Sequence, residues 1–200
     1  MPQRTAQINT AIGGVSIQGK IVHDAEGEIG QTVDIPKGQA GTLTTRTDND
    51  TGIATLSTGH GLVTGNKVDV VWAGGSRIGM DATVSGNAVT VNLGAGTNLP
   101  AQDTAVTLYR RLIINQVFDG DKVLQIEALL PVAGVMSIIS DAPAAIVDET
   151  PLVANKPWFW FEGTGAANPL TGETVATIEV ASRATANSKF KLCALIGSVL

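Results

Sequence analysis

Chemistry needs side chains that titrate, ligate or attack, and this chain spends few residues on them. It has two histidines, His23 and His60, and one cysteine, Cys193. His60 stands in the turn Thr58-Gly59-His60-Gly61, with no Cys or second His at the spacing a tetrahedral metal site uses. The alternative is a ring that hydrogen-bonds backbone groups and fixes the turn. His23 with Asp24, Glu26 and Glu28 reads either as a weak cation site or as a solvated acidic turn. Asp48-Asn49-Asp50 and the pair Asp119/Asp121 offer oxygen ligands but lack the spaced pattern of a calcium loop, so both read as turn chemistry. Cys193 lies in an alternating strand rather than at a helix start, where thiols become reactive. It is expected to be structural.

The glycines at 59, 61 and 65 are one residue too widely spaced for the dinucleotide fingerprint. They also precede a strand, whereas that fingerprint needs a helix whose N-terminus holds the pyrophosphate. No Gly-Lys-Ser or Gly-Lys-Thr follows a glycine run, and no serine sits in a Gly-x-Ser-x-Gly elbow. Carboxylate pairs of the glycosidase kind join residues far apart in a chain, and nothing singles one out. The expectation is a protein that is not an enzyme, with no catalytic residue, cofactor or metal. What remains is recognition by aromatic rings. Trp72, Trp158 and Trp160 are candidate stacking platforms for a glycan or receptor. Trp158-Phe159-Trp160-Phe161 puts rings on both faces of one strand, which marks either the centre of a β region or a subunit contact.

Charge narrows the partners. A net charge of −5 with Arg110-Arg111 as the one adjacent basic pair argues against nucleic acid. The apolar end Leu192–Leu200 is too short to span a bilayer, and Arg4 is followed by no apolar run, so synthesis in the cytoplasm and no membrane contact are expected. Only 16% of residues are charged, against ~25% in ordinary soluble domains. Low charge with 23 glycines suits a β protein partly covered by neighbours, or a plain neutral β domain.

The elements that must position these groups are short strands. Residues 1–12 read as a flexible or partner-bound arm. Val15–His23 alternates with Val15, Ile17 and Ile21 inward, and Thr32–Ile35 and Thr42–Thr47 follow as a meander. Ile53–Ser57 enters the Gly59-His60-Gly61 turn, Leu62 plugs, and Thr64-Gly65-Asn66 launches a strand with Val68, Val70 and Trp72 on one face. Arg77–Met80, Ala82–Val84, a Ser85-Gly86-Asn87 hairpin turn, Val89–Leu93 and Thr104–Tyr109 complete a set large enough to close a small barrel. Beyond Arg111 the strands Leu112–Val117, Val135–Ile139, Trp158–Phe161, Thr174–Ser182 and Lys189–Ile196 are more apolar. Lys122–Leu130 is ambiguous, alternating like a strand but rich in helix formers that Asp121 would cap.

Thr58-Gly59-His60-Gly61-Leu62-Val63-Thr64-Gly65-Asn66-Lys67-Val68-Asp69-Val70 resembles a His-Gly-(Leu/Phe)-x-x-Gly-(Asp/Asn)-x-Val-x-(Val/Phe) pattern. That pattern belongs to the first catalytic-cysteine half-domain of ubiquitin-activating enzymes, a small β-barrel, and recurs in tailed-bacteriophage structural proteins. No adenylation domain or catalytic-cysteine context accompanies it, so the phage proteins are the better guide. The order Ser137–Asp141, Pro157–Trp160, Asn168-Pro169-Leu170, Thr177–Val180 and Lys189–Leu192 looks, in texture, like small β-sandwich proteins of phage virions.

The expected fold is therefore all-β. A β-sandwich, with a jelly roll among its arrangements, is built from 1–49 plus 111–200, and a small barrel is inserted at 50–110. The resemblance implies a virion structural protein made in the host cytoplasm, a head decoration or stabilisation protein or a tail component. It implies a homo-oligomer, a trimer preferred, contacting other virion proteins such as the major capsid or tail proteins. A glycan- or receptor-binding module is the alternative. Leu195, Ile196, Val199 and Leu200 are the candidate oligomer contacts, with the 1–12 arm beside them.

Overall fold

The computed structural model describes residues 3–12, 15–24, 27–92, 98–117, 123–139, 146–161 and 175–196. Every helix or strand among them is a strand, as the alternation and the Val, Ile and Thr content predict. In chain order these are β1 (Gln3–Ile12), β2 (Val15–Asp24), β3 (Gly27–Ile35), β4 (Gln39–Arg46) and β5 (Thr51–Leu56). Next come β6 (Lys67–Trp72), β7 (Gly75–Ser85), β8 (Ala88–Asn92), β9 (Ala105–Arg110) and β10 (Leu112–Val117). The last are β11 (Val123–Leu129), β12 (Gly134–Ile139), β13 (Ile146–Leu152), β14 (Trp158–Phe161), β15 (Val175–Ser182) and β16 (Ser188–Ile196). The chain is all-β.

Eight strands form two four-stranded antiparallel sheets, ordered β10-β15-β12-β13 and β14-β11-β16-β3. Their pairing is nested: β3 with β16, β10 with β15, β11 with β14, β12 with β13. First strand pairs with last and so on inwards, which is a long double hairpin rolled into two sheets, the wrapping of a jelly roll. Both sheets feed one core. Ile35, Ile126, Trp160, Phe190 and Leu192 come from one sheet, and Met136, Leu152, Ile178 and Val180 from the other. Fully burying each large side chain contributes about 1.5–3 kcal/mol, so the shared core holds the sheets face to face. Within the ambiguous 122–130 segment, Val123–Leu129 is strand β11, because Ile126 and Ala128 alternate into this core opposite Ala194 and Leu192.

The remaining globular strands close a barrel in the order β4-β5-β8-β7-β6-β9, with β9 pairing back onto β4. Its interior is filled by Leu43, Val68, Val70, Met80, Val89, Val91 and Leu108, none of them measurably exposed, and Leu62 joins them as the expected plug. Arg77–Met80 and Ala82–Val84 are not separate strands but one, β7. It stays continuous through a bulge opposite Val68 and Val70, where Gly79 takes a φ of +68°.

The barrel's strands begin with β4 at Gln39 and end with β9 at Arg110, so Thr42–Thr47, which the sequence groups with the sandwich, pairs in the barrel with β5 and β9. Asp48-Asn49-Asp50 is not a break between domains but the β4–β5 turn, where the Asp48 carboxylate accepts from the backbone N–H groups of Asp50 (2.7 Å) and Thr51 (2.6 Å). Alternation identified Thr42–Thr47 as a strand; it carried no information about which sheet that strand joins. The chain leaves the sandwich after β3 at Pro36-Lys37-Gly38 and returns through β9 to β10. Because β4 and β9 are neighbours, entry and exit lie side by side.

Within the 1–12 arm, residues 3–12 form strand β1. β1 and β2 form a two-stranded hairpin in continuous register from Gln3↔Asp24 to Ile12↔Val15, and neither pairs with another described strand.

Candidate functional site

The densest assembly of charged groups among the described residues lies where barrel meets sandwich. Asp69 is central in β6, flanked by Val68 and Val70 that point into the barrel. Alternation aims it outward, yet it is fully buried, because the sandwich covers it. Arg111, the residue between β9 and β10, donates through Nε to Asp69 Oδ1 and through Nη1 to Glu179 Oε2 of β15 at 3.2 Å. Arg183, just past β15, donates through Nη2 to Asp69 Oδ2 at 2.6 Å, and its guanidinium lies 5.1 Å from the ring centroid of Tyr109 on β9. Gly79 N–H, at the β7 bulge, donates to Asp69 Oδ1 at 2.9 Å. Two guanidinium groups thus face two carboxylates.

Burial opposes a charge on Arg111. The hydrogen bond and charge of Asp69, and then those of Glu179, outweigh it and hold the guanidinium pKa above its ordinary value. The carboxylates are committed to guanidinium groups and offer no open cleft to a substrate. The cluster is an electrostatic weld between two bodies. Backbone contacts reinforce it: Gly38 N–H donates to Ala184 O at 3.0 Å, Lys37 N–H to Asn187 Oδ1 at 3.0 Å, and Arg111 N–H to Lys67 O at 2.8 Å. In the sequence Arg111 reads only as half of the Arg110-Arg111 pair. The legible signal was an Asp between two valines in mid-strand.

His60 does fix its turn. Leu62 N–H donates to Nδ1 at 3.1 Å, so the ring proton sits on Nε2 and is donated to Gly86 O at 3.1 Å. Gly59 and Gly61 on either side have φ of +79° and +72°, the conformation that required glycine. The imidazole ties this turn to the β7–β8 hairpin. Among the described residues no group of three or more His, Cys, Asp and Glu is placed to hold a metal ion.

Trp158 and Trp160 both pack on the sandwich core, and Trp72 lies apart on the barrel. Trp160 is 6% exposed and belongs to the sandwich core, and Trp158 packs partly buried against that core. Trp160 is therefore unavailable as a stacking platform: it pairs with Ile126 and shares that residue's inward face. Phe159 between them points outward and is 44% exposed. Trp72 packs partly buried on the barrel, its indole lying across Gly75, where a Cβ would stand 2.7 Å from Cζ2. It edges a shallow groove of about 270 Å³ with Ala40, Val71, Ala105 and Thr107. A second groove, about 340 Å³, crosses the outer face of the β14-β11-β16-β3 sheet and is lined by Gly30, Thr32, Glu127, Leu129, Lys191 and Cys193.

Leu195 and Ile196 lie in β16, opposite Glu28 and Gly27 of β3. Val199 and Leu200, the Asp119/Asp121 pair, Glu26 and the Asn168-Pro169-Leu170 turn lie outside the described residues. No family model matches this chain, and no curated protein or solved structure is significantly similar to it.

Proposed function

We infer that this chain is a non-enzymatic structural protein of a tailed-bacteriophage virion, a head decoration or stabilisation protein or a tail component. It assembles as an oligomer, a trimer preferred, and meets other virion proteins such as the major capsid or tail proteins. The observation that carries the reading is the nested jelly-roll pairing with a barrel set into its first connection. Jelly rolls recur in viral capsid and lectin domains, an analogy of fold that favours a virion or glycan role over catalysis. The resemblance of residues 58–70 to phage structural proteins selects the virion. The protein would be made in the host cytoplasm and act in the particle. Size-exclusion chromatography with light scattering, and electron microscopy of the chain mixed with phage heads or tails, test it. A stable monomer that decorates neither particle refutes it.

The lectin alternative now rests on Trp72 and its groove, since Trp160 is in the core. A glycan array on which the unmodified chain binds and Trp72→Ala does not would establish that reading instead.

A further inference from the structure

The two ends of the barrel are closed in different ways. Leu99 fills the end beside the β4–β5 turn, and its N–H donates to the backbone oxygen of Asn49 at 2.8 Å. β5 runs from that turn to the opposite end, where buried Leu62 is the plug and Val63 beside it stands exposed. The N–H of Leu62 donates not to a backbone oxygen but to His60 Nδ1. One closure is a bond that no proton alters. The other runs through an imidazole.

The connection 57–66 between β5 and β6 is unevenly anchored. Its second half is stitched to β7: Gly65 N–H donates to Ala82 O at 2.9 Å, Ala82 N–H to Asn66 O at 3.0 Å, and Val84 N–H to Thr64 Oγ1 at 2.9 Å. Among the described residues, the first half is hydrogen-bonded to the rest of the barrel through two side chains. His60 Nε2–H donates to Gly86 O at 3.1 Å, and the Asn87 amide donates to Thr58 Oγ1 at 3.3 Å on the surface. Gly59 and Gly61 bracket the ring at positive φ, with open space where a Cβ would stand. Residues 58–62 can therefore lift while 63–66 stay in place.

A proton added to this ring goes to Nδ1, the nitrogen that accepts, and turns it into a donor facing the Leu62 N–H. The imidazolium then has two N–H groups and one named acceptor, Gly86 O. No carboxylate answers its charge, because residues 51–66 and 82–92 contain no Asp, Glu, Lys or Arg. On the neighbouring strands Lys67 and Asp81 pair with each other at 2.7 Å, Asp69 is held by Arg111 and Arg183, and Arg110, opposite Val68, adds only positive charge. A buried cation without a partner is costly, whereas water solvates both N–H groups of a ring that has swung out. We propose that His60 is a proton-operated latch, which keeps Leu62 in the barrel mouth at neutral pH and in acid releases 58–62 as a lid. The lid hinges beside Val63, whose N–H is fixed by Asn66 Oδ1 at 3.1 Å. The proton binds the open form and not the closed one, so opening is favoured as pH falls, by about tenfold per pH unit for one proton. The latch stands independently of the assembly reading.

Imidazoles titrate between pH 5 and 8, and carboxylates ordinarily near pH about 4, so a series from pH 8 to 5 isolates the histidine. Amide exchange of the full chain is followed by NMR across that series, with intrinsic chemical exchange divided out. Protection of Leu62 N–H is expected to fall about tenfold per pH unit once the ring begins to titrate. The Leu62 methyl signals should move with the same midpoint as the His60 ring, while protection at Gly65, Ala82 and Val84 stays constant. His60→Asn offers a carbonyl oxygen in place of Nδ1 and takes up no proton, so its Leu62 protection should not vary with pH. Three results overturn the latch: a ring that titrates without moving Leu62, a loss of protection at Ala82 and Val84 in step with Leu62, or a pH dependence of Leu62 that survives in His60→Asn. The first two need only the unmodified chain, so a His60→Asn that fails to fold leaves the test intact.

Discussion

Replacing Asp69 by Asn should be strongly destabilising. The side chain keeps its shape and a carbonyl oxygen at Oδ1, so Gly79 N–H and Arg111 Nε keep an acceptor, while an NH2 replaces Oδ2 opposite the Arg183 guanidinium. The charge is lost, and Arg111, fully buried, then has Glu179 as the one carboxylate among its named partners. Removing one member of a buried ion pair typically costs about 3–5 kcal/mol, because the other charge stays desolvated. Asn preserves packing, which puts the expected loss near ~3 kcal/mol. For a chain of this size each kcal/mol moves Tm by about 2–4 °C, so a fall of roughly 6–12 °C follows. Lys67–Asp81 is the internal control: its 2.7 Å contact is as short, but both groups are substantially exposed. Asp81→Asn should cost less than about 1 kcal/mol. Differential scanning calorimetry and urea unfolding measure both. Since Asp69 joins barrel to sandwich, its loss should also split one cooperative transition into two. The reasoning is refuted if Asp69→Asn and Asp81→Asn lose the same stability, or if Asp69→Asn with Arg183→Gln is strictly additive in a double-mutant cycle.

Three further outcomes are expected. Gly134→Ala should lower the urea midpoint by an amount worth about 1–3 kcal/mol, because its Cβ would press on Leu130 and stand 2.6 Å from Ala181 O, prising β12 from β15; Gly30→Ala, facing open space, should be neutral. His60→Ala should cost about 1–3 kcal/mol by orphaning Leu62 N–H and Gly86 O, and hydrogen exchange at Leu62 should accelerate before that of the barrel strands. The backbone N–H groups of Asp50 and then Thr51 hold the Asp48 carboxyl below its ordinary value, so the stability it supplies is present above pH about 4 and lost as pH falls through its lower folded value. The stability gap between the unmodified chain and Asp48→Asn should accordingly close as pH is lowered from 5 to 2.

Most strands were legible because a period of two is a local property. Val89–Leu93, Thr104–Tyr109 and Lys189–Ile196 announce themselves by alternation, and β11 did so against its own helix formers. Sheet membership is not local. Thr42–Thr47 reads the same whether its neighbour is β16 or β9, and the Asp48-Asn49-Asp50 turn looks the same between domains as within a hairpin. The weld was hidden for the same reason: Asp69 is 110 residues from Glu179, and only the fold tells that an outward strand residue is roofed by another body. The His60 turn was legible because its partners, Leu62 and Gly86, lie at a turn and a hairpin that the glycines already mark. Of the aromatic strand, sequence showed the two faces but not which one turns inward, a matter of one residue in register.

The adjacency of β4 and β9 has a consequence for how such a chain can change over time. A module whose first and last strands touch can be lifted out and another set in its place without stretching the host, whose β3 and β10 need only be rejoined. Exchange is not free, however, because the host keeps Arg111, Glu179 and Arg183. Any incoming module must bring an acid where Asp69 stands, or the host must lose its cations with the barrel. The barrel is thus a cassette with a four-residue key.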